Sequence, residues 1–171
     1  SSDLEGLQYQ HIAPGVMTEK ALEYLNRHLR ILSGFYGVLA PFDGVVPYRL
    51  EMQAKLSVNG KKDLYEFWGD KLYRELLDED RLILNLASRE YAVAVKPYLC
   101  PGDRFLTVEF GELIEGKFKQ KGTFAKMARG EMVRYLAENQ VETIEKIKDF
   151  HMLGLSYCRE LSSQEKMCFV K

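Results

Sequence analysis

Apolar side chains recur at Ala21, Leu22, Leu25, Leu29 and Leu32, the spacing of one face of an α-helix, with Thr18 placed to cap its start and Gly34 to end it. From Ser33 to Pro47 the period breaks at Gly34, Gly37, Pro41, Asp43-Gly44 and Pro47, which predicts a long, shaped connector. Alternation resumes over residues 48–53 (YRLEMQ), where a strand would place Tyr48, Leu50 and Met52 on one face and Arg49, Glu51 and Gln53 on the other. After Asn59-Gly60, Asp63 and Glu66 form a capping pair ahead of Leu64, Phe67, Trp68, Leu72 and Leu76, and a second helix is predicted. Gly69 would sit inside it at a cost of about 1 kcal/mol relative to alanine, for which close packing is one reason.

Residues 81–87 (RLILNLA) are almost wholly apolar, as in a strand covered on both faces, with Asn85 the polar exception. Ser88 is placed to cap a short helical stretch that Pro97 ends. Two further strands, Phe105 to Ile114 and Lys117 to Lys121, are expected to form a hairpin at Glu115-Gly116. The next helix, from about Thr123 to Asn139, gathers Phe124, Met127, Ala128, Met132, Tyr135 and Leu136 on one broad face and leaves Lys126, Arg129 and Gly130 on the other. A short helix up to Lys148 follows, and Leu155 to Leu161 with Met167 to Val170 read as a closing hairpin. No repeat or linker divides the chain, so the expectation is a single mixed α/β (α+β) domain, a mixed sheet flanked by helices.

Composition narrows the function classes. With 171 residues, 46% hydrophobic and 29% charged, the chain can bury a core without disulfide or metal staples. Its longest apolar runs fall far short of the roughly 20 residues that span a bilayer, so no membrane segment is expected. The start, Ser1-Ser2-Asp3, reads as a trimmed end. Three cysteines, Cys100, Cys158 and Cys168, with no Cys-x-x-Cys pair, point away from a disulfide framework and toward a reducing, cytoplasmic setting. The net charge of −1 is unevenly spread: from Lys117 to Arg134 six basic residues face one acid, Glu131, a local +5.

Candidate chemistry is sparse. His11, His28 and His151 lack metal-ligand spacing, and neither a metal nor another cofactor is expected. No nucleophile elbow or phosphate loop occurs; Ser33 and Ser88 read as cap or turn residues, and no catalytic signature is found. Polar residues near predicted strand ends and helix starts, Arg49, Glu51, Asp70, Asn85, Ser88 and Glu90, would make a pocket for a base, sugar or phosphate if they converged. Equally, capping and solvation account for them. The basic island is the stronger signal. Lys117, Lys119 and Lys121 alternate along a strand, and Lys126 and Arg129 are neighbours on the following helix, beside a glycine that leaves room for another backbone.

Five strings carry a resemblance: SGFYGVLAPFDGVVPYRLEM (33–52), LYEFWGD (64–70), NLASREY (85–91), GKFK (116–119) and AKMARG (125–130). In this order they resemble the YaaA peroxide-stress family, from about Gly6 onward, with the family's N-terminal segment expected to lie outside this chain. The resemblance implies a cytoplasmic protein of mixed α/β fold tied to hydrogen peroxide survival, to limitation of free iron and to protection of DNA, which it would bind through a positively charged cleft. The motif positions it implies are Tyr48, Arg49, Glu51, Trp68, Asp70, Asn85, Ser88 and Glu90 for a polar pocket. Phosphate contact is expected from Lys117, Lys119, Lys126, Arg129 and Arg134. Ala40 and Met127 stand where the family motif commonly has Arg and often has Lys, which removes two candidate phosphate contacts. A nucleotide- or damaged-base-processing enzyme, with Glu51, Asp70 or Glu90 as acid or base and Arg49 as anion clamp, is the alternative.

Overall fold

The computed structural model describes residues 7–44, 46 and 49–171. The described residues form two compact units, one within 29–106 and one within 7–28 with 107–171. Its main sheet has five strands in the order β3 (Leu82–Asn85), β4 (Arg104–Ile114), β7 (Lys166–Val170), β6 (Ser156–Cys158), with β5 (Lys117–Lys119) also on β4. The sheet is mixed: β7 runs parallel to β4, while β5 on β4 and β6 on β7 are antiparallel. The expected mixed α/β fold is therefore what forms.

In the unit 29–106, a hairpin of β1 (Ile31–Ser33) and β2 (Gly37–Leu39) replaces the start of the expected connector. The Ser33 hydroxyl accepts from the backbone N–H groups of Phe35 and Tyr36, at 3.2 and 2.9 Å, and so shapes the turn. Of the strand expected over 48–53, residues 49–53 form no strand: residues 52–53 make a turn, with Ala54 N–H donating to the Glu51 carbonyl, and Tyr48 lies outside the described residues. The alternation itself is kept, since Met52 is fully buried while Arg49 and Glu51 are exposed. The helix expected after Asp63 splits into α3 (Leu64–Trp68) and α4 (Lys71–Leu76). Asp63 caps α3 as expected, accepting from Glu66 N–H at 2.8 Å, while the Glu66 carboxylate reaches one residue further back and accepts from Lys62 N–H at 2.8 Å. Gly69 breaks the helix because its φ is +51°; a β-carbon there would meet nothing nearer than 4.0 Å, so conformation and not packing explains the residue. Ser88 precedes the short helix α5 (Arg89–Ala92) without a side-chain capping bond. Met52, Leu64, Leu72, Tyr73, Ala94 and Val95 form the buried core of this unit.

In the other unit, α1 (Leu7–Ile12), α2 (Glu19–His28) and α6 (Gly122–Glu138) accompany the strands. Thr18 caps α2 as expected, accepting from Ala21 N–H at 3.2 Å, but α2 ends at His28 because Leu32 belongs to β1. Glu115 and Gly116, with φ of +51° and +73°, make the two-residue turn between β4 and β5, the geometry a hairpin of that length favours. Phe110, Phe150 and Phe169 pack at centroid separations of 5.5–6.0 Å, joined by Tyr135 and Tyr157. Helix α6 buries Ala125, Ala128, Met132, Val133 and Leu136, close to the predicted face. Gly130 departs from prediction: it is buried, and a β-carbon there would stand 2.2 Å from the Gln8 carbonyl oxygen, so the backbone it admits is that of α1. The helix α7 (Ile144–Ile147) and the β6–β7 hairpin fall where the pattern places them.

Candidate functional site

The basic residues resolve into different environments. Lys119 at the end of β5, Lys121 at the N-cap of α6, and Lys171 just past β7 line one pocket of about 110 Å³ with Gly111, Glu112 and Phe124. That is several times the space one water needs. Its walls are set by the hairpin: a β-carbon at Gly111 would come within 2.5 Å of the Lys119 carbonyl oxygen and 2.7 Å of the Phe118 ring, so only glycine lets β5 lie this close. Phe124 offers a ring face, over which the Lys171 ammonium sits 5.5 Å from the centroid.

Three lysines share this pocket with a single carboxylate, that of Glu112. Lys121 pairs with it, and that hydrogen bond, together with the charges of Lys121 and Lys171, holds the Glu112 carboxyl below the usual carboxylate range. The pocket therefore keeps an excess of positive charge. Helix α6 begins at its rim with no acidic residue in the first turn and no side-chain cap, so the helix dipole adds to the lysines' field.

Other members of the predicted phosphate set lie along β5 and α6. Lys117 and Lys126 are exposed, and no ion pair holds Lys117, Lys119 or Lys126 among the described residues. Arg129 differs: burial pulls it below the usual guanidinium range, and its Nε is buried with no hydrogen-bond partner among the described residues. Arg134 donates to Glu138 one turn on, at 2.8 Å, so its charge is offset by a neighbouring carboxylate. Of the predicted set, Lys119 lines this pocket and Lys117, Lys126, Arg129 and Arg134 do not; Lys171, outside that set, lines it because β7 lies parallel to β4.

The described members of the predicted polar pocket fall in the unit 29–106, where the side chains of Trp68, Asp70 and Asn85 have partners near them in sequence or in the fold. Trp68 Nε1 donates to the Gly34 carbonyl at 3.0 Å, securing the β1–β2 turn. Asp70, the residue before α4, pairs with Arg74 one turn on. Asn85, buried at the end of β3, accepts from Ala87 N–H at 3.1 Å, and the Glu90 carbonyl accepts from Tyr65 Oη at 2.9 Å. Arg49 and Glu51 are exposed, and Ser88 is half-buried. No group of three or more His, Cys, Asp or Glu gathers as metal ligands among the described residues. Nor is any helix among them long and apolar enough to cross a membrane.

A mixed α/β protein with a lysine-lined pocket beside a helix N-terminus is the class these features define. The chain belongs to the YaaA peroxide-stress protein family, whose model matches residues 4–161. Among curated relatives, it is 56% identical over 166 residues to a UPF0246 protein of Pediococcus pentosaceus, covering 97% of this chain. It is 56% identical over 164 residues to one of Limosilactobacillus reuteri and 52% over 165 residues to one of Agathobacter rectalis. In each case the chain spans 66% of the relative's length.

Proposed function

We propose that the chain serves the peroxide-stress role in its family's name by binding the phosphate backbone of DNA in the cytoplasm, and so shields DNA from oxidative damage. The observation that supports this most directly is the convergence of Lys119, Lys121 and Lys171 on one pocket at the start of α6, with Glu112 the one acid among the described residues that line it. Ammonium groups without a planar fork suit point contacts to phosphate oxygens and not base readout, so the binding is sequence-independent. The enzymatic alternative is the weaker reading, because Arg49 and Glu51 stand exposed and Asp70 is paired with Arg74 at the surface.

Titration of a labelled duplex across a salt series tests the proposal. Binding should weaken with salt at a log–log slope of about −0.9 per phosphate neutralised. Replacing Lys119 and Lys126 by Ala should lower that slope by about one to two units and weaken binding evenly across duplex sequences. Absence of binding at low salt, or a slope unmoved by the double substitution, would refute it.

A further inference from the structure

Two of the three cysteines meet in the tertiary structure. In the β6–β7 hairpin, Cys158 is the register partner of Cys168. Directly opposed residues of an antiparallel pair send their side chains to the same face, with Cα atoms about 4.5–5.5 Å apart, inside the span of about 4.4–6.8 Å that a disulfide bridges. Both are free thiols. The Ser162 hydroxyl ties this rung: it donates to the Cys158 carbonyl at 2.6 Å and accepts from Cys168 N–H at 3.0 Å. The register is therefore held by a side chain as well as by the ladder.

The two sulfurs have unlike surroundings. Cys158 is half-exposed, its thiol 3.5 Å from Glu160 Oε2. Cys168 is fully buried, donating to the Leu161 carbonyl at 3.2 Å and lying 3.8 Å from Glu109 Oε2. Burial pushes the Cys168 thiol up to about 11, Lys166 opposes this, and Glu109 and the neighbouring Cys158 add to it. Cys168 is thus kept as a protonated thiol, out of reach of solvent oxidants, while Cys158 is the sulfur that solvent reaches.

We propose that Cys158 and Cys168 form an oxidation site at which a hydroperoxide closes a reversible disulfide across the β6–β7 hairpin. The thiolate of Cys158 attacks one oxygen of the peroxide; the O–O bond breaks, an S–O bond forms, and the departing oxygen takes up a proton and leaves as water. Cys158 is then a sulfenic acid. The Cys168 sulfur attacks it, the S–S bond forms as the S–O bond breaks, and the hydroxyl leaves with the Cys168 proton as a second water. Glu109 is the nearest carboxylate to receive and pass on that proton. In total, two thiols and one hydrogen peroxide give one disulfide and two waters. The pair shares no residue with the lysine pocket, so the inference stands apart from DNA binding.

Treatment of the chain with graded hydrogen peroxide, followed by alkylation and peptide mass mapping, tests it, with a urea-unfolded sample setting the dose that oxidises its cysteines. The expected result is the loss of two alkylatable thiols and two hydrogens per chain. A peptide linking Cys158 to Cys168 should appear, and a dithiol reductant should restore both thiols. Cys168→Ser should leave a sulfenic acid on Cys158 that a cyclic dione traps; Cys158→Ser should abolish the crosslink and leave Cys168 alkylatable on unfolding. The proposal is overturned if both thiols survive doses that oxidise the unfolded chain, if every disulfide formed contains Cys100, or if Cys158 passes to the sulfinic acid without crosslinking.

Discussion

The Gln8 carbonyl oxygen of α1 lies over Gly130 of α6, so near that a β-carbon on Gly130 would stand 2.2 Å from it. The His11 ring nitrogen Nδ1 meets Glu131 Oε1 at 2.9 Å beside this contact, so the two helices are joined by a close backbone approach and a polar pair.

Gly130→Ala sets two effects against each other. Alanine raises helix propensity by about 1 kcal/mol. Overpacking against backbone costs typically about 1–3 kcal/mol, and more where the neighbour cannot move. The clash should win, lowering Tm by about 2–4 °C for each net kcal/mol in a chain of this size. An unchanged thermal midpoint would mean that α1 is not seated on α6.

Trp68 is the one tryptophan of the chain, so its fluorescence reports on a single place. Its indole donates to the Gly34 carbonyl, and its ring lies where a β-carbon on Gly37 would come within 2.8 Å, at a residue whose φ is +83°. Trp68→Phe should cost about 1 kcal/mol for the hydrogen bond, measured by urea unfolding followed by circular dichroism. Gly37→Ala should cost more and shift the Trp68 emission, since both ring contact and backbone conformation are disturbed. Identical emission in that variant would contradict the packing described.

Arg129 carries a charge that the fold leaves poorly compensated. An unsatisfied buried donor costs about 1–3 kcal/mol, and methionine fills the same stem volume without that penalty. Arg129→Met should therefore raise the urea midpoint while weakening duplex binding. Loss of stability and of binding together would assign Arg129 a purely structural role.

Asp103, its side chain 1% exposed, pairs with Arg81 and accepts from Cys100 N–H at 2.6 Å and from the Tyr73 hydroxyl at 2.7 Å. The Cys100 amide foremost, with Tyr73 and Arg81, holds its carboxyl below the ordinary range, while the Cys100 side chain first, and then Asp103, push the Tyr73 hydroxyl up. A depressed folded-state value means the stabilisation is fully present above the unfolded value and is lost as pH falls from about 4 through the folded one. Stability should drop over that window in the native chain and drop less in Asp103→Asn. Urea midpoints at neutral pH and near pH 3 check both.

Signals carried by neighbouring residues were legible in the chain itself. The caps at Thr18 and at Asp63 with Glu66, the turn at Glu115-Gly116 and the long helix after it all depend on atoms within about one helical turn or one hairpin loop, where the chain brings partners together at little entropic cost. The basic island could be read as well, because lysines alternating on a strand share a face whatever else the chain does. Other features needed partners distant in sequence. Gly37 packs on Trp68, Gly130 on Gln8, and Lys171 reaches Lys119 only because β7 lies parallel to β4 and β5 folds back on it. Cys158 meets Cys168 through the register of a hairpin and not through spacing. Local residue chemistry thus determined the caps, the β4–β5 turn, the long helix and where the charge lies, while the tertiary structure decided whether residues 49–53 extend as a strand and which lysines and which sulfurs meet, since those outcomes depend on packing and strand register that no local pattern encodes.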